Sequence, residues 1–209
     1  MSIKDYNELN SLELDTLREI GSIGTGNAAT SLSDLIGKQV RIKMPEVRIM
    51  GYNEAIEWIG GPEKITAGVL VKLGGQVNGI ILSVQQLEFV NLVLESMLGA
   101  GVEDYPDLHE MENSALIEVG NIMISTFVNA LSELAAVDIQ LTVPAFTVDM
   151  QGAIMAVPMA EYGGQSNYIM TIGGDFVCEG KEVPCRLLLS PDIRSLNFLL
   201  RKLGVSDGE

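Results

Sequence analysis

The chain carries a near-copy of its own first part. LREIGSIGTGNAATSLSDLIGKQVRIKMP, ending at Pro45, aligns without a gap with LIEVGNIMISTFVNALSELAAVDIQLTVP, ending at Pro144. Leu17, Glu19, Gly21, Leu32, Ser33, Leu35 and Pro45 recur as Leu116, Glu118, Gly120, Leu131, Ser132, Leu134 and Pro144. Later segments match more loosely: IILSVQQLEFVNLVLESMLG (80–99) pairs with RLLLSPDIRSLNFLLRKLG (186–204), and the drift in register implies insertions between the blocks. The period is far longer than a solenoid repeat. It predicts one 1–209 domain built of two units, 11–100 and 108–205, related by a pseudo-twofold axis. The acidic, glycine-containing linker GAGVEDYPDLHE joins them, with Pro106 as a breaker.

Each unit reads the same way. A long helix comes first, at about 11–36 and 110–136, and a shorter amphipathic helix closes the unit at about 85–98 and 192–203. Between them VRIKMPEVRIM, ITAGVLVKL and VNGIILSV read as strands, with IQLTVPAFTV, GAIMAVPMA, YIMTIGGDF and EVPCRLLL as their counterparts. The expectation is an α/β fold of two helix–strands–helix repeats, with a mixed or antiparallel sheet and the long helices packed on it. The pattern leaves open whether both units share one sheet.

The second long helix contains SALIEVGNIMISTF, in which Ser114, Glu118, Asn121 and Ser125 fall on one face at steps of four, three and four. Leu116, Ile117, Val119, Ile122, Ile124 and Phe127 flank this polar stripe. Burying a glutamate there without a partner is expensive, so the stripe meets water or something outside the chain. The first copy aligns Asp15, Glu19, Ser22 and Gly26 with it. A merely solvated face is the plainer alternative. It does not require Glu, then Gly two residues on, then Pro at a fixed distance in both halves. An amide donates to one group while accepting from a water, and so holds that water for attack. A carboxylate pairs with a lysine on a partner. With no activating base at hand, the pair makes sense as half of an active site. Phosphoryl transfer suits that division, because its catalysis is largely positioning.

Composition removes other chemistries. The net charge is −15 and the pI about 4.4. Lys and Arg are too scattered for a nucleic-acid footprint, anionic membrane surfaces repel such a chain, and a small basic or mixed-charge protein partner fits better. Hydrophobic residues at 47% with 20% charged residues point to a globular chain. His109 is the single histidine and lies in the acidic linker, which argues against a Ser-His-Asp or Cys-His site. Cys178 and Cys185 form no zinc or CxxC spacing and read as buried reduced thiols. No HExxH, EF-hand or GxxxxGK[ST] motif occurs. The N-terminus lacks an apolar signal core, and the apolar runs are broken before about 18 residues. A cytoplasmic address and a monomer are expected. Gly24-x-Gly26-x-x-Ala29, with Glu46 about twenty residues on, imitates a dinucleotide fingerprint. LELDTLREI upstream has helical spacing, and Met123, Ile124 and Ser125 replace the motif in the second unit. Small residues for close helix packing are the better account.

The pattern [D/S]-x3-E-x2-N-x22-P resembles the signature of the CheC/CheX/FliY phosphatases of bacterial and archaeal chemotaxis. The second unit fits it as Ser114, Glu118, Asn121 and Pro144; the first fits as Asp15, Glu19 and Pro45, with Ser22 where the asparagine belongs. The resemblance implies hydrolysis of the aspartyl phosphate of the response regulator CheY. It assigns Glu118 to the regulator's lysine and Asn121 to the attacking water, with Glu19 and Ser22 as the weaker or silent pair. Ser114 and Asp15 would cap or support their helices, and Pro45 and Pro144 would fix strand exits. The chain would need no cofactor of its own, because the regulator brings Mg²⁺. The family also includes proteins that bind CheD, a receptor-modifying deamidase, so a non-enzymatic adaptor for CheD or phosphorylated CheY is the competing expectation.

Overall fold

Two halves of the chain run through the same elements in the same order. The first contains α1 (Ser11–Ile36), β1 (Val40–Gly51), α2 (Tyr52–Ile59), β2 (Ile65–Gly75), β3 (Gly79–Gln85) and α3 (Leu87–Met97). The second contains α4 (Glu110–Ala135), β4 (Ile139–Leu141), β5 (Ala145–Met150), α5 (Gln151–Tyr162), β6 (Tyr168–Cys178), β7 (Lys181–Pro191) and α6 (Ile193–Lys202). The computed structural model describes residues 3–206; residues 1–2 and 207–209 of the expected 1–209 span lie outside it.

Capping sets the ends of both long helices. The Asn10 side chain accepts from the Glu13 N–H at 3.0 Å, and the Glu13 carboxylate accepts from the Asn10 N–H at 2.9 Å. At α4 the Glu112 carboxylate accepts from the His109 N–H at 3.0 Å. α1 closes on Gly37 at φ +67°, and α4 closes on Ala136 at φ +51°. A side chain in that left-handed region costs about 1 kcal/mol, which glycine avoids.

Every strand pairing is antiparallel, in the order β1-β6-β7-β3-β2-β4, with β5 also on β2. The leading strand of each half lies against the other half: β1 pairs β6, while β4 and β5 pair β2. The halves therefore exchange strands and share one continuous sheet, with β3 and β7 at its centre. Pro45 sits where the β1 register slips between Lys43 and Glu46, and Pro144 falls in the break between β4 and β5. Both prolines thus interrupt edge strands rather than guide an exit, in places where a missing N–H costs the ladder little.

Alternation along the strands feeds two helical layers. Leu82, Ile169 and Leu188 pack under Ile56 and Ile59 of α2 and Ile154 and Met155 of α5. Ile81, Met170 and Leu189 face the side covered by α1 and α4. GAIMAVPMA, expected as a strand, is helical within α5, and the short helix α2 was not foreseen. The buried residues of α5 are Gln151, Ile154, Met155 and Pro158, at steps of three, one and three. A short apolar run does not separate the two periods, and only the sheet beneath selects the helical one.

The long helices run antiparallel. Leu17 and Ile20 of α1 share a cluster with Ile124 to Ala135 of α4, while Ala28 to Ile36 share another with Ala115 to Met123. Where they cross, the Thr126 hydroxyl donates to Ser31 Oγ at 3.0 Å, and a Cβ added to Gly24 would stand 2.4 Å from the Phe127 ring. The glycines of the dinucleotide look-alike therefore lie inside an unbroken helix, and Gly24 serves close packing. Glu118 breaks the apolar run of α4, as expected, yet by length and composition alone the helix is apolar enough to cross a membrane, with an 18-residue window of hydropathy 1.4. Some 56% of that window is buried inside the fold.

A second repeated feature escaped the sequence reading. Asp5-Tyr6 and Leu9 recur as Asp104-Tyr105 and Leu108 just ahead of the two long helices. Tyr6 donates its hydroxyl to the Pro191 carbonyl at 2.7 Å, and Tyr105 donates to the Gln85 carbonyl at 3.0 Å. Burial pushes both phenols up, Tyr105 to about 12. The repeated Asp-Tyr-x-x-Leu was the available signal.

Candidate functional site

Glu-x-Gly recurs because its two ends face opposite ways. Gly120 lies against the sheet, where an added Cβ would stand 2.6 Å from Val69 Cγ2; Gly21 lies closer still to Val47. Gln85 donates from Nε2 to the Leu116 carbonyl at 3.0 Å and pins α4 from below. Two residues before each glycine, half a helical turn away, Glu19 and Glu118 emerge exposed. The carboxylate is thus presented by a helix held down directly opposite it.

The second stripe is assembled as expected on one face of α4. Ser114 and Glu118 are exposed, while Asn121 and Ser125 are half-buried. Among the described residues, Glu118 and Asn121 make no side-chain hydrogen bond or ion pair; the hydroxyls on this helix that do are those of Ser114, Thr126 and Ser132. Glu118 and Asn121, one turn apart, are thus available to a partner. In the first stripe Asp15, Glu19 and Ser22 are exposed and Gly26 is half-buried. Asp15 is engaged, because Arg18 donates to its carboxylate at 2.8 Å.

Neither Asp15 nor Ser114 caps its helix. Asn10 and His109 hold the cap positions, and Ser114 donates back to the Glu110 carbonyl at 2.7 Å. That i−4 bond keeps its hydroxyl low on the helix surface. The two stripes are also well separated. Contacts Gly24–Phe127 and Ser31–Thr126 place the crossing midway along each helix. At 1.5 Å per residue, Glu19 and Glu118 stand roughly 25 Å apart along the pair.

Among the described residues, nothing else competes as a reactive centre. Cys178 and Cys185 are buried and free, and burial pushes the Cys185 thiol up to about 12, away from nucleophilic thiolate. Among the described residues, no three His, Cys, Asp or Glu side chains gather to hold a metal ion.

Fold and stripes together define a two-repeat α/β protein that displays a polar motif on each of two antiparallel helices. A family model described as the CheC-like family matches residues 12–49 and 111–148, the two long helices with the strands that follow them. The chain is 24% identical over 205 residues to the CheY-P phosphatase CheC of Bacillus subtilis (strain 168), covering 96% of this chain and 98% of that one. Among solved structures it resembles the FliY of Thermotoga maritima, at 21% identity and TM-score 0.73 with 94% and 98% of the two chains covered. It also resembles a chain of the CheX–CheY–BeF3–Mg complex from Borrelia burgdorferi, at 19% identity and TM-score 0.54 with 83% and 96% covered. Both repeats thus match the CheC-like family, and along most of its length the chain is similar to CheC and FliY proteins.

Proposed function

We propose that the chain is a phosphatase of a phosphorylated CheY-type response regulator and that α4 carries its principal site. The observation that supports this most is the pairing of an exposed carboxylate, Glu118, with an amide one turn on, Asn121, both without a side-chain partner among the described residues. The name of the Bacillus subtilis relative and the CheY-bound complex sharing this fold point to the same substrate class.

Glu118 pairs with the regulator's lysine and fixes the docking of α4. Asn121 enters the partner's site and accepts a hydrogen bond from the attacking water, in line with the phosphorus. The new P–O bond forms to that water as the P–O bond to the aspartyl carboxylate breaks, giving a free carboxylate and inorganic phosphate. Mg²⁺, held by the regulator, neutralises phosphoryl charge when bound there. This chain contributes position and one amide. In α1, Glu19 retains the docking group, but Ser22 offers a short hydroxyl without the amide's paired donor and acceptor, so the first site is weak or silent.

The test is hydrolysis of phosphorylated CheY by the purified chain beside Glu118→Ala and Asn121→Ala. Full activity in Asn121→Ala rejects the assignment. Ser22 favours a second reading for the first half, an adaptor surface that binds CheD or phosphorylated CheY without turnover. Assays with and without CheD separate the two: no acceleration in any combination leaves the adaptor.

A further inference from the structure

A groove runs beside the first half of each long helix, and the two grooves are lined differently at equivalent positions. Beside α4, about 580 Å³ lies between helix and β5, walled by Ile65, Tyr105, Leu108, Phe146 and Val148, with Asp104 its one charged lining residue. Beside α1, a matching space of about 410 Å³ carries Arg18, Glu46, Arg48 and Glu54. The repeat aligns Arg18, Glu46 and Arg48 with Ile117, Ala145 and Thr147, of which Thr147 lines the second groove, while Ala145 adjoins Phe146 in sequence and Ile117 follows Asn113 by one helical turn.

The second groove also holds an unanswered acceptor. Asn113, immediately before Ser114, lines it, and its Oδ1 is buried without a hydrogen-bond donor. A buried carbonyl left unpaired is destabilising by itself and gains when a ligand supplies an N–H or O–H. Leu14 occupies the equivalent place beside α1.

We propose that the groove between α4 and β5 is the second anchoring point of the same phosphorylated regulator, taking one apolar side chain and one donor from it, and that the charged groove beside α1 rejects that surface. The proposal rests on the function proposed above. Continuity identifies the occupant: the groove starts one residue from Ser114, so a partner covering Glu118 also covers the groove. The first groove refuses it for a physical reason. Arg48 and Glu46 approach to 2.6 Å and Arg18 and Asp15 to 2.8 Å. Seating an apolar side chain there removes water from paired charges without replacing it. The first site is therefore disabled by its docking surface as well as by Ser22.

The experiment uses the full chain with phosphorylated CheY for turnover and beryllofluoride-activated CheY for binding. Ala145→Glu with Thr147→Arg, both on the exposed sheet edge, imports the charged lining into the second groove. KM and Kd should rise about tenfold or more while kcat stays within about twofold. The converse variant is built on Asn121→Ala and combines Ser22→Asn with Arg18→Ile, Glu46→Ala and Arg48→Thr. It should turn over about tenfold faster than Ser22→Asn alone on that background, which guards against a loss caused by misfolding. Unchanged KM and Kd in the first variant, or equal recovery by Ser22→Asn alone, overturns the groove assignment. Full activity in Asn121→Ala itself overturns the function beneath it, and the binding measurements still judge the groove separately.

Discussion

The stripes on α1 and α4 occupy matching places on matching helices, yet they differ in nearly everything a partner would touch. Both present a glutamate opposite a glycine that lies on the sheet. Around that shared plan, α4 offers Asn121, Ile117 and an apolar groove; α1 offers Ser22, Arg18 paired to Asp15, and a groove laced with charge. Duplication preserved what the fold needs, the glycine and the edge-strand proline. The groups facing outward diverged, because solvent-facing positions leave the core unaffected.

The most severe way to break this comparison is Asn121→Ala. Loss of one water-positioning group costs about 2–4 kcal/mol of transition-state stabilisation, so turnover of phosphorylated CheY should fall on the order of 10²-fold. Ser22→Ala should change it less than about twofold in the same assay. Next in size is the packing beneath the stripes. Gly120→Ala drives a Cβ to 2.6 Å from Val69 and should destabilise the fold by about 1–3 kcal/mol in denaturant titration, whereas Gly26→Ala, with nothing within 4 Å, should be neutral or stabilising by up to about 1 kcal/mol. Ala136→Gly sharpens the contrast between the helix ends. Placing glycine at φ +51° should stabilise by about 1 kcal/mol, while Gly37→Ala should lose a similar amount.

Alkaline titration gives the smallest effect and tests the paired tyrosines. Burial raises the phenols of Tyr6 and Tyr105 above their ordinary value of 10.0, so the neutral form is favoured in the fold. Their contribution is complete below about pH 10. It is lost as pH rises, for Tyr105 towards about 12, because the unfolded chain releases its proton first. Denaturant midpoints measured from pH 9 to 11 should fall, and Tyr105→Phe should flatten that slope.

Much of the architecture was legible. The gapless repeat and the 3.6-residue periodicity place α1, and the same register carries over to α4, because periodicity acts within one segment. The Asn10–Glu13 cap and Gly37, not read beforehand, set the ends of α1. The α2 and α5 helices were not legible. GAIMAVPMA alternates well enough to imitate a strand, and contact with Leu82 and Leu188 decides otherwise.

By itself, the sequence determined that two like units exist, that each displays a glutamate-centred stripe, and that only one stripe carries an asparagine. Those are properties of residue type and spacing. The exchange of β1 and β4–β5 between halves, the antiparallel crossing that holds the stripes apart, and the contrast between the two grooves were decided by tertiary structure alone. Each depends on which distant segments meet, and Phe146 or Arg48 acquires its role only when β5 or β1 is laid beside a helix from the same half.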